Sequence, residues 1–365
     1  MKNVLVGQSG GPTAVINSSL AGVYETAKAC GAEHVYGMQY GIAGVLEGKL
    51  VDLDAVLSDK MDIELLKRTP SSFLGSCRHK LPQPDVDEAP FVQLFDLFKQ
   101  YDIGAVFYIG GNDSMDTISK LSAYGKTIGS EIRFIGVPKT IDNDLWGTDM
   151  TFGFQSAVDI ATNVIDCIHS TASSHGRVFI VEVMGHKVGW LTLYAGISGG
   201  SDVILIPEIP YDVDEVCRVL KKRKKEGKPF SILAVAEGAI SKEEAALSKK
   251  EFKAARATMK EPSVSYRLAN EISARTGQEI RVTIPGHFQR GGSPCAYDRM
   301  LTTRFGTAAA ELIANKKFGC MVALQNNRIV PVPLEEVAGK LKTVSLDCDE
   351  IRAARAMGIS LGQAE

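Results

Sequence analysis

The chain has 365 residues, enough for about two domains, and 45% of them are hydrophobic, which is typical of a globular protein with a core. Its 41 lysines and arginines against 43 aspartates and glutamates give a net charge of −2, which excludes a global basic field for nucleic acid or an anionic membrane. No apolar run approaches the roughly 18–20 residues of a membrane span, and the seven cysteines contain no C-x-x-C pair, so we expect a cytoplasmic protein without disulfides.

Short runs of β-branched and apolar residues predict strands along the chain. They are Asn3–Val6, Ala105–Ile109, Ile132–Val137, Val178–Val183, Val203–Ile206, Ile232–Ala236, Glu279–Ile284 and Met321–Leu324. Helical patterns lie between them, at Phe91 to Phe98, Ser156 to Ser170, Asp212 to Lys225, Ser263 to Thr276 and Thr302 to Lys316. This alternation predicts an α/β fold with mostly parallel sheets, covered by helices on both faces. Such sheets bind ligands at the carboxyl ends of their strands.

The 35 glycines are about 10% of the chain, above the usual ~7%, and they cluster directly after predicted strands. The first cluster runs from Gly7 to Thr13, with Pro12 near the first position of a predicted helix. Turn glycines let backbone N–H groups approach a phosphate, and a helix N-terminus favours negative charge. The segment therefore indicates either a phosphate site or an ordinary strand-to-helix turn.

A second glycine turn, Gly110 to Ser114, lies between another predicted strand and a predicted helix. Its residues Asn112, Asp113 and Ser114 are all of types that cap helices, so a helix cap is the alternative interpretation. Two glycines and three polar side chains at the end of a strand exceed what a cap requires. We therefore favour a functional turn.

The most informative segment is P-K-T-I-D-N-D, Pro138 to Asp144. It places two carboxylates, Asp142 and Asp144, beside Lys139 at the end of a predicted buried strand. A general base, a carboxylate near a metal and a cation for phosphate are the groups that phosphoryl transfer requires. The alternative is a surface turn rich in Asp and Asn.

The basic residues are otherwise scattered, and each alone is typical of a solvated surface charge. Only Lys221 to Lys225 form a compact basic run, which we interpret as the exposed C-terminal end of a helix. Because the net charge is close to zero, any affinity for an anion must come from a local site.

Four segments together resemble the 6-phosphofructokinase family: Gly10-Gly11, Gly110 to Ser114, Pro138 to Asp144 and Pro285 to Gly292. The likeness spans about residues 1 to 320. It implies two similar three-layer, doubly wound domains with the active site in the cleft between them. Residues 1–153 and 290–340 would bind the phosphoryl donor and Mg²⁺, and residues 154–289 and 341–365 the sugar phosphate. The family resemblance also implies a homo-oligomer, a dimer or a tetramer.

The resemblance assigns roles to individual residues. Asp142 would accept the proton of the 1-hydroxyl of fructose 6-phosphate. The sugar phosphate would contact Thr140, Ile141, Asp142, Arg177, Met184, Gly185, His186, Glu237, Arg281, His287, Phe288, Gln289 and Arg290, with Arg177 and Arg281 reaching in from a neighbouring subunit. Pyrophosphate would contact Gly11, Arg78, Asp113 and Lys139, and Mg²⁺ would lie near Asn112 and Asp144. Two positions depart from the family pattern: Asn112 replaces an acidic residue, and His186 replaces an arginine.

The choice of phosphoryl donor depends on two positions. ATP-using members resemble G-G-D-G-S and P-G-T-I-D-N-D, whereas this chain has Asp113 and Lys139 there, as in the pyrophosphate-using branch. Two like charges ~4 Å apart at a dielectric of ~20 cost about 4 kcal/mol, so Asp113 would oppose the α-phosphate of ATP. That is roughly a thousandfold in affinity. Lys139 would neutralise a pyrophosphate oxygen.

The sequence thus predicts a reversible, pyrophosphate-dependent 6-phosphofructokinase of glycolysis and gluconeogenesis. Three alternatives stay open at this point. They are an ATP-dependent 6-phosphofructokinase, a NAD or lipid kinase with a similar glycine turn, and a sugar-phosphate sensor that has lost catalysis. The T-I-D-N-D and G-H-x-Q-R-G-G segments argue against the second, and Asp142 argues against the third.

Overall fold

The computed structural model describes residues 2–259, 261 and 263–364. The chain forms two compact units: unit 1 comprises Met1–Ser156 and Arg290–Lys342, and unit 2 comprises Ala157–Gln289 and Thr343–Glu365. None of the described helices combines the length and the apolar character needed to cross a membrane. The roles predicted for the two units, donor binding and sugar-phosphate binding, stay predictions.

The strands in chain order are β1 (Asn3–Gln8), β2 (Val35–Met38), β3 (Leu50–Asp52), β4 (Ile103–Gly110), β5 (Arg133–Pro138), β6 (Val178–Val183), β7 (Val203–Leu205), β8 (Ser231–Ala236), β9 (Ile280–Thr283), β10 (Cys320–Gln325) and β11 (Arg328–Pro333). The helices are α1 (Ile16–Ala29), α2 (Gly41–Leu46), α3 (Leu53–Val56), α4 (Lys60–Arg68), α5 (Ala89–Gln100), α6 (Asn112–Thr127), α7 (Phe154–His175), α8 (Trp190–Ser198), α9 (Val213–Lys225), α10 (Lys242–Ala245), α11 (Lys249–Ala257), α12 (Val264–Thr276), α13 (Ala296–Ala314), α14 (Leu334–Val337) and α15 (Asp349–Ala356). A 3₁₀ helix spans Gly286–Arg290.

Unit 1 is built on a seven-stranded sheet in the order β11-β10-β5-β4-β1-β2-β3. Its five central strands are parallel, and the edge strands β3 and β11 pair antiparallel with their neighbours. Side chains alternate along β1: Val4 and Val6 pack in a cluster with α1 and α13, whereas Leu5 packs in the cluster that contains α5 and α6. Helices therefore cover both faces of this sheet, as the α/β prediction requires.

Unit 2 has a smaller, fully parallel sheet in the order β7-β8-β6-β9. Val178, Ile180 and Leu233 from the sheet pack against apolar residues of α9 and α12. Helix α9 begins at the cap Asp212, whose carboxylate accepts two backbone N–H bonds, and ends with the run Lys221 to Lys225. The interpretation of that run as the basic end of a helix is confirmed.

All predicted strands are present, with ends within two residues of the predicted ones. Strands β2, β3 and β11 were not predicted, because β3 has only three residues, β2 contains Gly37, and β11 contains two prolines. Two predictions about helix starts are wrong. Helix α1 begins at Ile16, so Pro12 belongs to the preceding turn, and α13 begins at Ala296 rather than Thr302, because its cap residue Cys295 offers no side-chain signal.

Candidate active site

The loops that carry the predicted donor groups follow three adjacent parallel strands of unit 1. Strand β1 pairs with β4 up to Gln8 and Ile109, and β4 pairs with β5 up to Gly110 and Pro138. Since the strands are parallel and in register, their following loops lie at one edge of the sheet. The glycine turn, the start of α6 and the segment after Pro138 are therefore neighbours in space.

Two cations flank the first glycine turn. Gly10 adopts φ +77°, which favours glycine, and a Cβ on Gly11 would lie 1.9 Å from Arg290 Nη1. Lys139 Nζ donates a hydrogen bond of 2.5 Å to the Gly11 carbonyl. A side chain at position 11 would push the Arg290 guanidinium away from the turn, so the turn and the two cations form one group.

A second loop, which carries Arg78, is tied to the same turn. Ser76 Oγ donates to the Gly10 carbonyl at 2.5 Å, and the Gly10 N–H donates to the Cys77 carbonyl at 3.0 Å. Arg78 directly follows Cys77, which is hydrogen-bonded to the turn, so these bonds place Arg78 beside the turn. Its side chain is exposed. Sequence reasoning connected Arg78 to this turn only through the family resemblance.

Two buried side-chain amides form hydrogen bonds with this second loop, and sequence reasoning missed them. Gln8 Nε2 donates to Asn17 Oδ1 at 3.0 Å, and the same oxygen accepts the N–H of Phe73. Gln8 Oε1 accepts the N–H of Leu74. Buried polar groups are normally hydrogen-bonded. The side chains of Gln8 and Asn17 are fully buried, and their oxygens accept backbone N–H groups of the second loop, which fixes the position of that loop.

Lys139 is a buried cation among other charges. Its side chain is 2% exposed, and burial, reinforced by Arg290, lowers the pKa of Lys139 to about 7, with Asp142 acting in the opposite direction. Near neutral pH the group is therefore partly protonated. An anion that binds beside it would favour the protonated form.

The segment after Pro138 is a buried loop, so the alternative of an exposed surface turn is wrong. Ile141, Asn143 and Asp144 are between 1% and 7% exposed. The Asp142 N–H donates to Thr140 Oγ1 at 3.1 Å, and Thr151 Oγ1 donates to the Thr140 carbonyl at 2.8 Å. The loop thus bonds to itself and holds Thr140, Ile141 and Asp142 in one arrangement.

The two residues assigned to the metal contact each other. Asn112 Nδ2 donates to Asp144 Oδ2 at 2.7 Å, and burial raises the pKa of Asp144. Asp144 Oδ1 is buried and has no hydrogen-bond partner in the part of the chain that the structure describes. A buried carboxylate oxygen without a donor fits a hard cation, so Asp144 would hold Mg²⁺ while Asn112 orients it. Bound Mg²⁺ would neutralise phosphate charge.

Asp113 lies in the first turn of α6 and is exposed. Its carboxylate pairs with Lys80 at 2.8 Å, and both side chains are more than half exposed. Gly111, which has no side chain, is the cap residue of α6, so the interpretation of Asn112 to Ser114 as a helix cap is wrong. Lys80 and solvent screen Asp113, which makes the roughly thousandfold penalty against a nucleotide an overestimate.

In unit 2 the structure brings together most of the residues predicted to contact the sugar. Glu237 Oε1 accepts the N–H groups of Gly185 and His186 at 3.3 and 2.9 Å, and Gln289 Oε1 accepts the N–H of Met184 at 3.2 Å. His186 has φ +52° and is exposed. These bonds define the course of the loop after β6. The residues that they join are named the Glu237 cluster: Met184, Gly185, His186, Glu237 and Gln289.

His287 and Phe288 lie on the 3₁₀ helix that also carries Gln289. Both are exposed, Phe288 to 80%, whereas Gln289 is 2% exposed. Within the described residues the His287 imidazole forms no hydrogen bond, and Phe288 has no polar side-chain atom that could form one. The structure therefore includes Gln289 in the Glu237 cluster and leaves the side chains of His287 and Phe288 exposed on the same 3₁₀ helix.

Arg177 and Arg281 meet on one carboxylate that sequence reasoning missed. Arg177 Nε lies 2.7 Å from Glu279 Oε2, and Arg281 pairs with the other oxygen of Glu279. Arg177 precedes β6 and Arg281 lies on the edge strand β9, which pairs with β6. Arg281 and Glu279 are exposed and Arg177 is half-buried. The three side chains form a small charged group, named the arginine pair.

Comparison with known proteins finds one matching family model and several similar proteins. The family model described as Phosphofructokinase matches residues 3–313. An ATP-dependent 6-phosphofructokinase of Spirochaeta thermophila is 45% identical over 97% of this chain and 96% of its own length, and one of Propionibacterium freudenreichii is 38% identical over 97% of each. A solved pyrophosphate-dependent phosphofructokinase of Marinobacter aquaeolei superposes with TM-score 0.82 at 29% identity, covering 100% of this chain and 89% of the other. One of Nitrosospira multiformis gives 0.84 at 28%, covering 98% and 92%.

Proposed function

Because the chain belongs to the phosphofructokinase family, we propose that it transfers a phosphoryl group to the 1-hydroxyl of fructose 6-phosphate. Asp142 accepts the proton of that hydroxyl. The transition state is loose, so catalysis consists mostly of positioning and charge neutralisation rather than of strong base action. Unit 1 supplies the donor groups, and the Glu237 cluster and the arginine pair of unit 2 bind the sugar phosphate.

We propose pyrophosphate as the donor, and one observation supports it. The buried Lys139 lies with Arg290 at the Gly10-Gly11 turn, and Arg78 is close enough to affect its pKa. Three cations in so small a space suit a compact anion with several charges. Two similar solved structures, at 28–29% identity, are of pyrophosphate-dependent enzymes, and two others, at 27%, are of yeast phosphofructokinases.

ATP is the second candidate, and the names of similar relatives favour it. The relatives that are 45% and 42% identical are both called ATP-dependent 6-phosphofructokinases. The structure also weakens the argument against ATP, because Lys80 offsets the charge of Asp113. The donor therefore has to be decided by experiment.

The deciding assay offers fructose 6-phosphate and Mg²⁺ with pyrophosphate and ATP in parallel. We expect turnover with pyrophosphate, and turnover with ATP alone would contradict the donor proposal. Asp113→Gly should raise kcat/KM for ATP by about tenfold, because it removes one screened like charge. Asp116→Asn is the matched control, since Asp116 lies on the same helix and pairs only with Lys120 among the described salt bridges. No turnover with either donor would favour the sensor.

We also propose a cytoplasmic homo-oligomer in which Arg177 and Arg281 serve a neighbouring subunit. Arg281 is exposed and Arg177 is half-buried, so solvent reaches both guanidinium groups, as such a role requires. Mixing inactive Asp142→Asn chains with Arg177→Ala chains tests this. Shared sites should restore activity in mixed oligomers, whereas sites completed within one chain should not. Light scattering would give the number of subunits.

A further inference from the structure

Lys342 lies beside the loop that carries Asp142, far from it in sequence. Leu341 forms an antiparallel bridge with Leu145, and the Lys342 N–H donates to the Asp144 carbonyl at 2.9 Å. The residues Leu341 and Lys342 therefore lie against the loop, joined to it by one β-bridge and one backbone hydrogen bond. Sequence analysis assigned no role to it, because a lone lysine between Leu341 and Thr343 has no motif.

The Lys342 ammonium satisfies all three of its donors inside the loop. Nζ donates to Asn143 Oδ1 at 2.9 Å, to the Thr148 carbonyl at 2.8 Å and to the Asp149 carbonyl at 2.9 Å. The side chain is half-buried, and burial lowers its pKa to about 8. A partly desolvated cation with three acceptors is a strong local constraint on all three.

The acceptor that matters most is Asn143, which lies between the two carboxylates. Its backbone has φ +53°, a left-handed conformation that a non-glycine residue adopts at a cost. Asn143 Oδ1 also accepts the Thr151 N–H at 3.0 Å, so Lys342 and Thr151 hold one amide from two sides. Because Asn143 lies between Asp142 and Asp144, holding its backbone in place also sets the orientation of the two carboxylate side chains.

We propose that Lys342 is the positioning residue of the catalytic loop, holding Asn143 and the carbonyls of Thr148 and Asp149 so that Asp142 points at the substrate hydroxyl. The assignment of Asp142 rests on the proposed function. Lys342 itself acts through the loop and does not touch the reacting atoms. A displacement of about 1 Å in such a group costs on the order of 100-fold in rate.

The test replaces Lys342 with methionine, which has a similar length and no donor. We expect kcat to fall about 100-fold while KM for both substrates changes less than about threefold, since the loop and not substrate binding is affected. Lys340→Met is the matched control: Lys340 is exposed on the same segment, 5.9 Å from the Trp146 ring, and should retain full activity. In Lys342→Ala, added propylammonium should restore part of kcat, and tetramethylammonium, which has no N–H donor, should not.

Amide hydrogen exchange gives a readout that does not depend on turnover. The Thr151 amide should exchange faster in Lys342→Met and at the wild-type rate in Lys340→Met. If that result holds but the wild type never phosphorylates fructose 6-phosphate, the proposed function fails and the loop constraint stands. Unchanged kcat, or a fall in kcat that equals a fall in folded fraction and resists amine rescue, would overturn the positioning role. Should Lys342→Met not fold, Lys342→Leu, which also has no donor, carries the same test.

Discussion

The loop after β5 and the arginine pair hold their charged groups in opposite ways. In the loop, Asn143 and Asp144 are buried, and the loop is bonded to itself and to Lys342. In the arginine pair, the only salt-bridge partner of Arg177 and Arg281 among the described residues is the exposed Glu279, where water screens the attraction. The first region is held by buried hydrogen bonds that need no ligand, whereas the second depends on weak charge pairs.

This difference corresponds to the two proposed functions, catalysis in the loop and phosphate binding by the arginine pair. A group that takes part in chemistry must be placed within a fraction of an ångström before the reaction, which buried hydrogen bonds achieve. A group that binds a phosphate needs only charge and reach, and arginine supplies both from an exposed position. Substitutions in the loop should therefore change kcat, and substitutions in the arginine pair should change KM.

The largest effect is expected at Asp142. Asp142→Asn removes the proton acceptor and keeps the shape of the loop, so kcat should fall about 10³-fold with little change in KM. Steady-state kinetics checks this, with Asp159→Asn, an exposed position on α7, as the control. A sensor without catalysis would lose nothing, and an equal loss in the control would point to misfolding.

An intermediate effect is expected at Lys139 and depends on pH. Its pKa of about 7 means that the ammonium predominates below pH 7 and the neutral amine above it. Because the charged form attracts an anion, kcat/KM for pyrophosphate should fall as pH rises through about 7.

Lys139→Arg sharpens this prediction, since its guanidinium stays protonated and should abolish the fall. Lys139→Met should lower kcat/KM by about 100-fold below pH 7 and remove the pH dependence. Pyrophosphate titrations at a series of pH values measure both. A profile that is the same in the wild type and in Lys139→Arg would assign the titration to another group.

The smallest effect is expected in the arginine pair. Glu279→Gln frees both guanidinium groups from a competing carboxylate, and surface ion pairs are weak, so KM for fructose 6-phosphate should fall by no more than about threefold. The gain should disappear at high salt, which screens the pair in the wild type as well. A change in kcat instead of KM would show that Glu279 affects the chemistry at the loop, and would contradict the separation of catalysis from phosphate binding.

Much of the architecture could be predicted because periodicity and glycine placement are local properties. The eight predicted strands, the buried stripe of α5 and the basic end of α9 depend only on neighbouring residues. The short strands β2 and β3 and the proline-containing β11 could not, because they exist only where a longer strand already offers a partner.

The near-neutral charge and the excess of glycine, together with the strand-end motifs, were enough to predict a local anion site in an α/β protein. Only the tertiary structure decided which charged groups are buried and which are paired with an opposite charge. It placed Lys139 in the interior, paired Asp113 with Lys80 and both arginines with Glu279, and brought Lys342 onto the loop from 199 residues after Asn143. Sequence spacing cannot give these results, because burial and charge pairing depend on residues that meet only when the chain has folded.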